Sequence, residues 1–172
     1  MTTTRIYVAC LASYNAGKLH GAWIDANQDA DAIHDAIKAM LAASPTPGAE
    51  EFAIHDSEGF APWSVGEYEA IETVAEVAAL IAEHGEIAAH VMAGEGDAER
   101  VREMFDDGYR GEWDSLEQYA EDLLDSTGAF DGCNNFVKRY FDYASFARDL
   151  ELGGDVTTYE VGGRVHVFDG TI

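Results

Sequence analysis

Residues 66–107 read GEYEAIETVAEVAALIAEHGEIAAHVMAGEGDAERVREMFDD, and this stretch decides the layout of the chain. From Glu67 to Asp107 the pattern is helical, with breaks at Gly85 and Gly94–Gly96 and no strand-like alternation. Ser64-Val65-Gly66-Glu67 has the spacing of a capping box and predicts where the helical stretch begins. Ile71, Val74, Ala78 and Ile81 share one helix face. At about 100° per residue, Glu69, Glu72, Glu76 and Glu83 fall within about 60° of one another on a different face. The expectation is a helix with an apolar stripe turned inward and a lengthwise acidic stripe turned to solvent.

Both flanks mix strands with helices. On the N-terminal side, 5–13 and 19–25 have strand composition, and 30–42 places Ile33, Ile37, Met40 and Leu41 at helical spacing. Ser44-Pro45-Thr46-Pro47-Gly48 ends that helix, because proline lacks the N–H that would continue it. Residues 51–56 alternate Phe52 and Ile54 against Ala53 and His55, a third strand. On the C-terminal side, 109–113 reads as a strand, and Ser115-Leu116-Glu117-Gln118 is a second capping box. It opens a helix that stops at Gly128. Leu116, Tyr119, Ala120 and Leu123 turn inward there; Asp114, Glu117, Glu121, Asp122 and Asp125 occupy the opposite arc. Asp142 caps a further helix with an apolar stripe of Tyr143, Phe146, Ala147 and Leu150. Residues 155–161 and 164–169, joined by Gly162-Gly163, form a hairpin with a primed turn. The fold class is therefore α+β, divided as 1–63 (α+β), 64–107 (helical) and 108–172 (α+β).

Charge is the most unusual property of the chain. It has 33 acidic and 10 basic residues, a net −23. Solubility of a small domain requires only about 2–8 net charges, and self-repulsion at higher values opposes compaction. Of the total, −16 lies between Gly66 and Asp131, where 19 acidic residues meet 3 basic ones. Adaptation to salt would spread acid evenly, whereas a partner-specific surface concentrates it. Such a surface repels nucleic acid and anionic lipid, which need Lys/Arg patches, and it suits a basic partner. Duplex DNA carries about one charge per 1.7 Å, so about a dozen base pairs match one copy of this chain. The seven-residue apolar run from Ile6 to Ala12 is too short for a membrane span, and a cytoplasmic location is expected.

Short matches then occur in order along nearly the whole chain. They are Ile6-Tyr7-Val8-Ala9-Cys10-Leu11, Tyr14-Asn15-Ala16-Gly17-Lys18-Leu19, Gly21-Ala22-Trp23, Phe52-Ala53-Ile54-His55-Asp56, Gly66-Glu67-Tyr68-Glu69 and Tyr143-Ala144-Ser145-Phe146-Ala147-Arg148-Asp149-Leu150. Together they resemble the ArdA-type antirestriction proteins. The resemblance implies an elongated, three-domain homodimer encoded on mobile genetic elements, a DNA mimic that fills the DNA-binding groove of type I restriction-modification enzymes. It also implies an antirestriction motif near 142–155, with Tyr143, Phe146, Arg148, Asp149 and Leu150 serving dimerisation or partner contact. The phosphate-mimicking candidates are Glu69, Glu72, Glu76, Glu83, Glu99, Glu103, Asp114, Glu117, Glu121, Asp122 and Asp125. An acidic interaction protein serving another basic DNA-binding protein is the alternative.

Catalytic chemistry finds no support in the motifs. The six histidines form no HExxH, and His84 and His90 lie on different helix faces. Glu86 and His90 share a face but are only two ligands. Residues 106–117 imitate an EF-hand loop, yet Gly108 and Arg110 stand where oxygen ligands belong. Neither Cys10 nor Cys133 sits in a nucleophile signature, and both read as buried free thiols. Trp23, Trp63, Trp113 and Tyr119 read as core aromatics. No enzyme activity, catalytic residue, metal or cofactor is expected.

Overall fold

A computed structural model describes residues 3–171. The chain divides into two compact units, Met1–Val101 and Arg102–Ile172, and its architecture is α+β, with two antiparallel three-stranded sheets.

In the first unit, β1 (Arg5–Cys10) lies between β2 (Gly21–Asp25) and β3 (Phe52–Glu58). Ile6 and Val8 are fully buried in the central strand. The strand stops at Cys10, three residues short of the expected end. Cys10 caps the short α1 (Leu11–Asn15), its Sγ accepting from the Ser13 amide at 3.5 Å. The helix α2 (Ala30–Ala42) matches its expected bounds and packs on β1 and β2, with Ile33, Ile37 and Met40 buried. The simple alternation expected in β3 fails because the register slips: Val8 pairs with Ile54 but Tyr7 with Asp56. His55 is the extra, bulged residue, and the consecutive His55 and Asp56 are both exposed; Ala53 and Ile54 are both buried, as are their partners Ala9 and Val8.

The helical stretch begins later than its sequence suggests. The backbone carbonyl of Glu67 accepts from the Ile54 amide at 2.9 Å, and the Glu69 amide turns back to Gly66. The first contact covers β3, and together they hold 66–70 out of helical geometry. The Ser64–Glu67 capping box therefore goes unused, and α3 runs Ile71–His84 from an N-cap at Ala70. Gly85, at φ 76°, separates it from α4 (Glu86–Glu95), and Gly96, at φ 73°, ends α4. Gly94 stays within α4, and α5 (Ala98–Glu103) follows. The expected apolar face of α3 is buried and wider than its four named residues, with Val77 and Leu80 also at 0% exposure.

In the second unit a π-helical turn (Met104–Gly108) leads into β4 (Tyr109–Trp113). The sheet order is β4-β6-β5, with β5 (Val156–Val161) and β6 (Arg164–Asp169) forming the expected hairpin. Gly162 and Gly163 have φ of 60° and 79°, the left-handed pair that a primed turn requires. The helices α6 (Leu116–Ser126) and α8 (Tyr143–Leu152) pack together. Tyr119, Val156 and Val167 centre this core, with Trp113, Leu116, Leu123 and Leu150 against them. Phe168, fully buried, meets the rings of Phe105, Tyr109 and Tyr159 at 5.2, 5.0 and 5.7 Å. Between α6 and α8 lies a short helix that the sequence reading did not anticipate, α7 (Asn135–Arg139), capped by the Asn134 side chain. Among the described residues no helix is long and apolar enough to cross a membrane.

Candidate acidic interaction surface

The acidic candidates divide between the two units. In the first, α3 brings Glu72, Glu76 and Glu83 onto one side because four- and seven-residue steps return nearly to the same face. At 1.5 Å rise per residue they span about 16 Å. Glu72 and Glu83 are exposed and Glu76 is half-buried. Glu69 does not belong to this stripe: it precedes the helix and is half-buried in the turn that closes on Gly66. Glu99 is exposed on α5. Histidine side chains stand beside several of these carboxylates. His34 on α2 reaches Glu72 at 3.1 Å, His84 stands 3.9 Å from Glu83, and His90 stands 3.6 Å from Glu86. The Glu72 carboxyl is held below its usual range by its own backbone amide and then by His34.

The second unit carries the denser group. Ser115 Oγ accepts from the Gln118 amide at 3.1 Å, and Gln118 Oε1 accepts from the Asp114 amide at 3.0 Å. This reciprocal cap fixes where α6 starts, and hence which side of it faces out. Tyr119 and Ala120 turn inward; Glu117, Glu121, Asp122 and Asp125 are all exposed. Four carboxylates over about 12 Å of axis approach the one charge per 3.4 Å or so of a single DNA strand. Glu103, also exposed, ends α5.

Not all of this charge is uncompensated. Lys138 holds Asp125 at 2.5 Å, and Arg164 pairs with Asp114 and, at 3.8 Å, with Glu112. Asp122 accepts from the Trp113 indole N–H at 2.9 Å. Glu117 and Glu121 make no ion pair among the described residues. Sequence spacing gives no sign of these countercharges, which lie 13 and 50 positions away along the chain.

The motif region has two aspects. Tyr143, Phe146 and Leu150 are half-buried on the inner side of α8, and Tyr143 meets the rings of Phe130 and Phe141. Arg148 and Asp149 are exposed, 3.9 Å apart. Earlier in the chain, Phe136 and Val137 of α7 and its C-cap Tyr140 are 67%, 52% and 71% exposed. Two expectations of burial fail. Cys133 is exposed, unlike Cys10, because it lies in an irregular stretch ahead of α7. Trp23 is 38% exposed, because its strand position turns it to the outer sheet face beside Tyr7 and under the Arg5 guanidinium. Trp63 and Trp113 are half-buried and Tyr119 is buried.

Among the described residues no three His, Cys, Asp or Glu side chains are placed to hold a metal ion. The stretch resembling an EF-hand is taken up by the π-helical turn, β4 and the α6 cap. Its Arg110 pairs with Asp169 at 2.5 Å. The Asp169 carboxyl is strongly perturbed: the Thr171 hydroxyl and amide, then Arg110, hold it at about 2, down from 3.8. Because folding lowers this pKa, the arrangement stabilises the protein above pH 3.8 and its contribution is lost as pH falls through about 2. Asp169→Asn should therefore shift the denaturant midpoint downward at neutral pH, with the gap to wild type closing as pH falls from about 4 to 2. A gap unchanged by pH would remove the ionic origin.

The profile of a family described as antirestriction protein (ArdA) matches residues 6–164. No curated protein matches the chain.

Proposed function

We propose, from the premise that this chain belongs to the ArdA family of antirestriction proteins, that it inhibits type I restriction-modification enzymes by occupying their DNA-binding groove in place of DNA. The observation that carries this reading is that α3 and α6, each within its own unit, set solvent-facing carboxylates opposite a buried apolar face, in a segment holding −16 of the chain's −23 charges. A groove that neutralises phosphates with Lys and Arg attracts such a surface by the same long-range field. No bond is made or broken; binding alone excludes DNA, so no catalytic residue or cofactor has a part. The protein acts in the cytoplasm, where its target meets incoming DNA. It works as a homodimer, for which the exposed apolar side chains of α7 offer a contact.

Competition with a DNA duplex for a purified type I enzyme tests this. The protein should displace DNA at about 50 mM salt and do so at least about tenfold less well at about 300 mM, as screening shortens the field. Absence of displacement at low salt would replace this reading with that of an acidic partner for some other basic protein.

A further inference from the structure

Next to the α6 carboxylates, the second unit holds an open cleft of about 570 Å³ lined by Arg110, Trp113, Tyr119, Asp122, Ser126 and Asp169. Aromatic rings form much of its wall: Trp113 and Tyr119 meet edge to face, 4.7 Å apart. Gly111 sits behind this wall at φ 123°, where an added Cβ would press on the Trp113 ring at 3.3 Å. Glycine there leaves the indole its place.

The charges in the cleft are unequal. Arg110 and Asp169 cancel one another at 2.5 Å. Asp122 is left as the uncompensated charge. Its Oδ2 accepts the indole N–H at 2.9 Å, while its Oδ1 takes no hydrogen bond among the described residues. The Tyr119 hydroxyl, at the same wall, also takes none. Aromatic faces beside an open carboxylate oxygen suit a cation carrying N–H donors. A planar guanidinium fits better than an ammonium, because it lies flat on rings while donating to a carboxylate.

We infer that this cleft receives one arginine side chain of the basic partner, between the Trp113–Tyr119 wall and the Asp122 carboxylate. The inference rests on the DNA-mimic reading for the partner, though not for the chemistry of the cleft. It adds a shaped anchor to an otherwise distributed electrostatic surface, and buried aromatic and arginine anchors dominate most protein interfaces.

Two measurements test it. In the first, the isolated protein is titrated with N-acetyl-arginine amide while the Trp113 indole N–H is followed by NMR. The expected result is a saturable shift with a Kd on the order of millimolar, absent with the neutral citrulline analogue and weaker with N-acetyl-lysine amide. Asp122→Asn should abolish the shift while leaving the spectrum folded, since an amide oxygen still accepts the indole N–H. No saturable shift, or an equal one from the lysine or citrulline compound, overturns the assignment. In the second, Asp122→Asn should weaken displacement of DNA from a type I enzyme about tenfold, the scale of a charged hydrogen bond. Glu160→Gln, an exposed carboxylate on β5 outside both the cleft and the acidic helix faces, should leave displacement unchanged. Displacement by Asp122→Asn equal to wild type overturns the anchor while the mimic reading stands. Failure of the wild-type protein to displace DNA removes the mimic reading, and the amide titration then decides the cleft by itself.

Discussion

Replacing Glu72, Glu76, Glu83, Glu117, Glu121 and Asp125 together by their amides is expected to lower competition with DNA by more than about 100-fold, although each replacement alone costs less than about threefold. Exposed ion pairs contribute about 0–1 kcal/mol each; at the middle of that range, the six amount to about 3 kcal/mol, or two decades in affinity. All six lie on α3 or α6, and none is buried. The amides keep helix propensity and side-chain size, and removing like charges relieves self-repulsion. The sextuple variant should consequently melt close to wild type, the relieved self-repulsion offsetting the lost Lys138–Asp125 and His34–Glu72 contacts. A melting temperature several degrees lower would assign the lost competition to unfolding. Abolition of competition by any one of the six would point to a localised site rather than a charged surface.

Phe168→Ala is expected to unfold the unit Arg102–Ile172. The ring is fully buried and touches Phe105, Tyr109 and Tyr159, which come from three different parts of the unit. Truncating such a phenylalanine costs about 3–5 kcal/mol, as much as a core of this size supplies. Phe168→Leu keeps most of the volume and should remain folded. The Trp113 indole signal reports the outcome: it should collapse to the unfolded position in the alanine variant and stay dispersed in the leucine variant. The first unit has its own core around Ile6, Val8 and Ile33, and its Trp23 and Trp63 signals serve as internal references. A dispersed Trp113 signal in the alanine variant would show that the aromatic cluster is not the keystone of the unit.

The parts of the structure legible in the sequence are those fixed by neighbouring residues. The α6 cap, its buried and acidic faces, the α2 bounds and the Gly162-Gly163 hairpin each follow from contacts within a few positions, and each is present. What escaped the sequence depends on distant partners. The Ser64–Glu67 box failed because Glu67 is claimed by Ile54, and Glu69 left the acidic stripe with it. The alternation in β3 breaks at Ala53, buried against Ala9 of β1, and again beyond His55, where the register with β1 leaves one residue bulged. For the acidic surface, residue type and spacing identified the exposed carboxylates of α3 and α6. The cations that offset some of them, Lys138 and Arg164, come from elsewhere in the fold. No local pattern reveals the cleft either, since its wall is assembled from β4, α6 and the end of β6.

The unequal placement of the two cysteines gives the molecule a chemical address. Cys10 is buried, and Ser44 and the Ser13 amide engage its sulfur, so its reactivity is set by how often the first unit opens. Cys133 is exposed, immediately ahead of the apolar side of α7, and solvent-borne reagents reach its sulfur without any opening of the fold. Alkylating reagents therefore act on the folded chain at one position, and a fluorophore or spin label carried there looks out over α7. Air oxidation acts at the same position, joining two chains by a disulfide that survives dilution, so a covalent pair seen without reductant has an origin separate from assembly through α7.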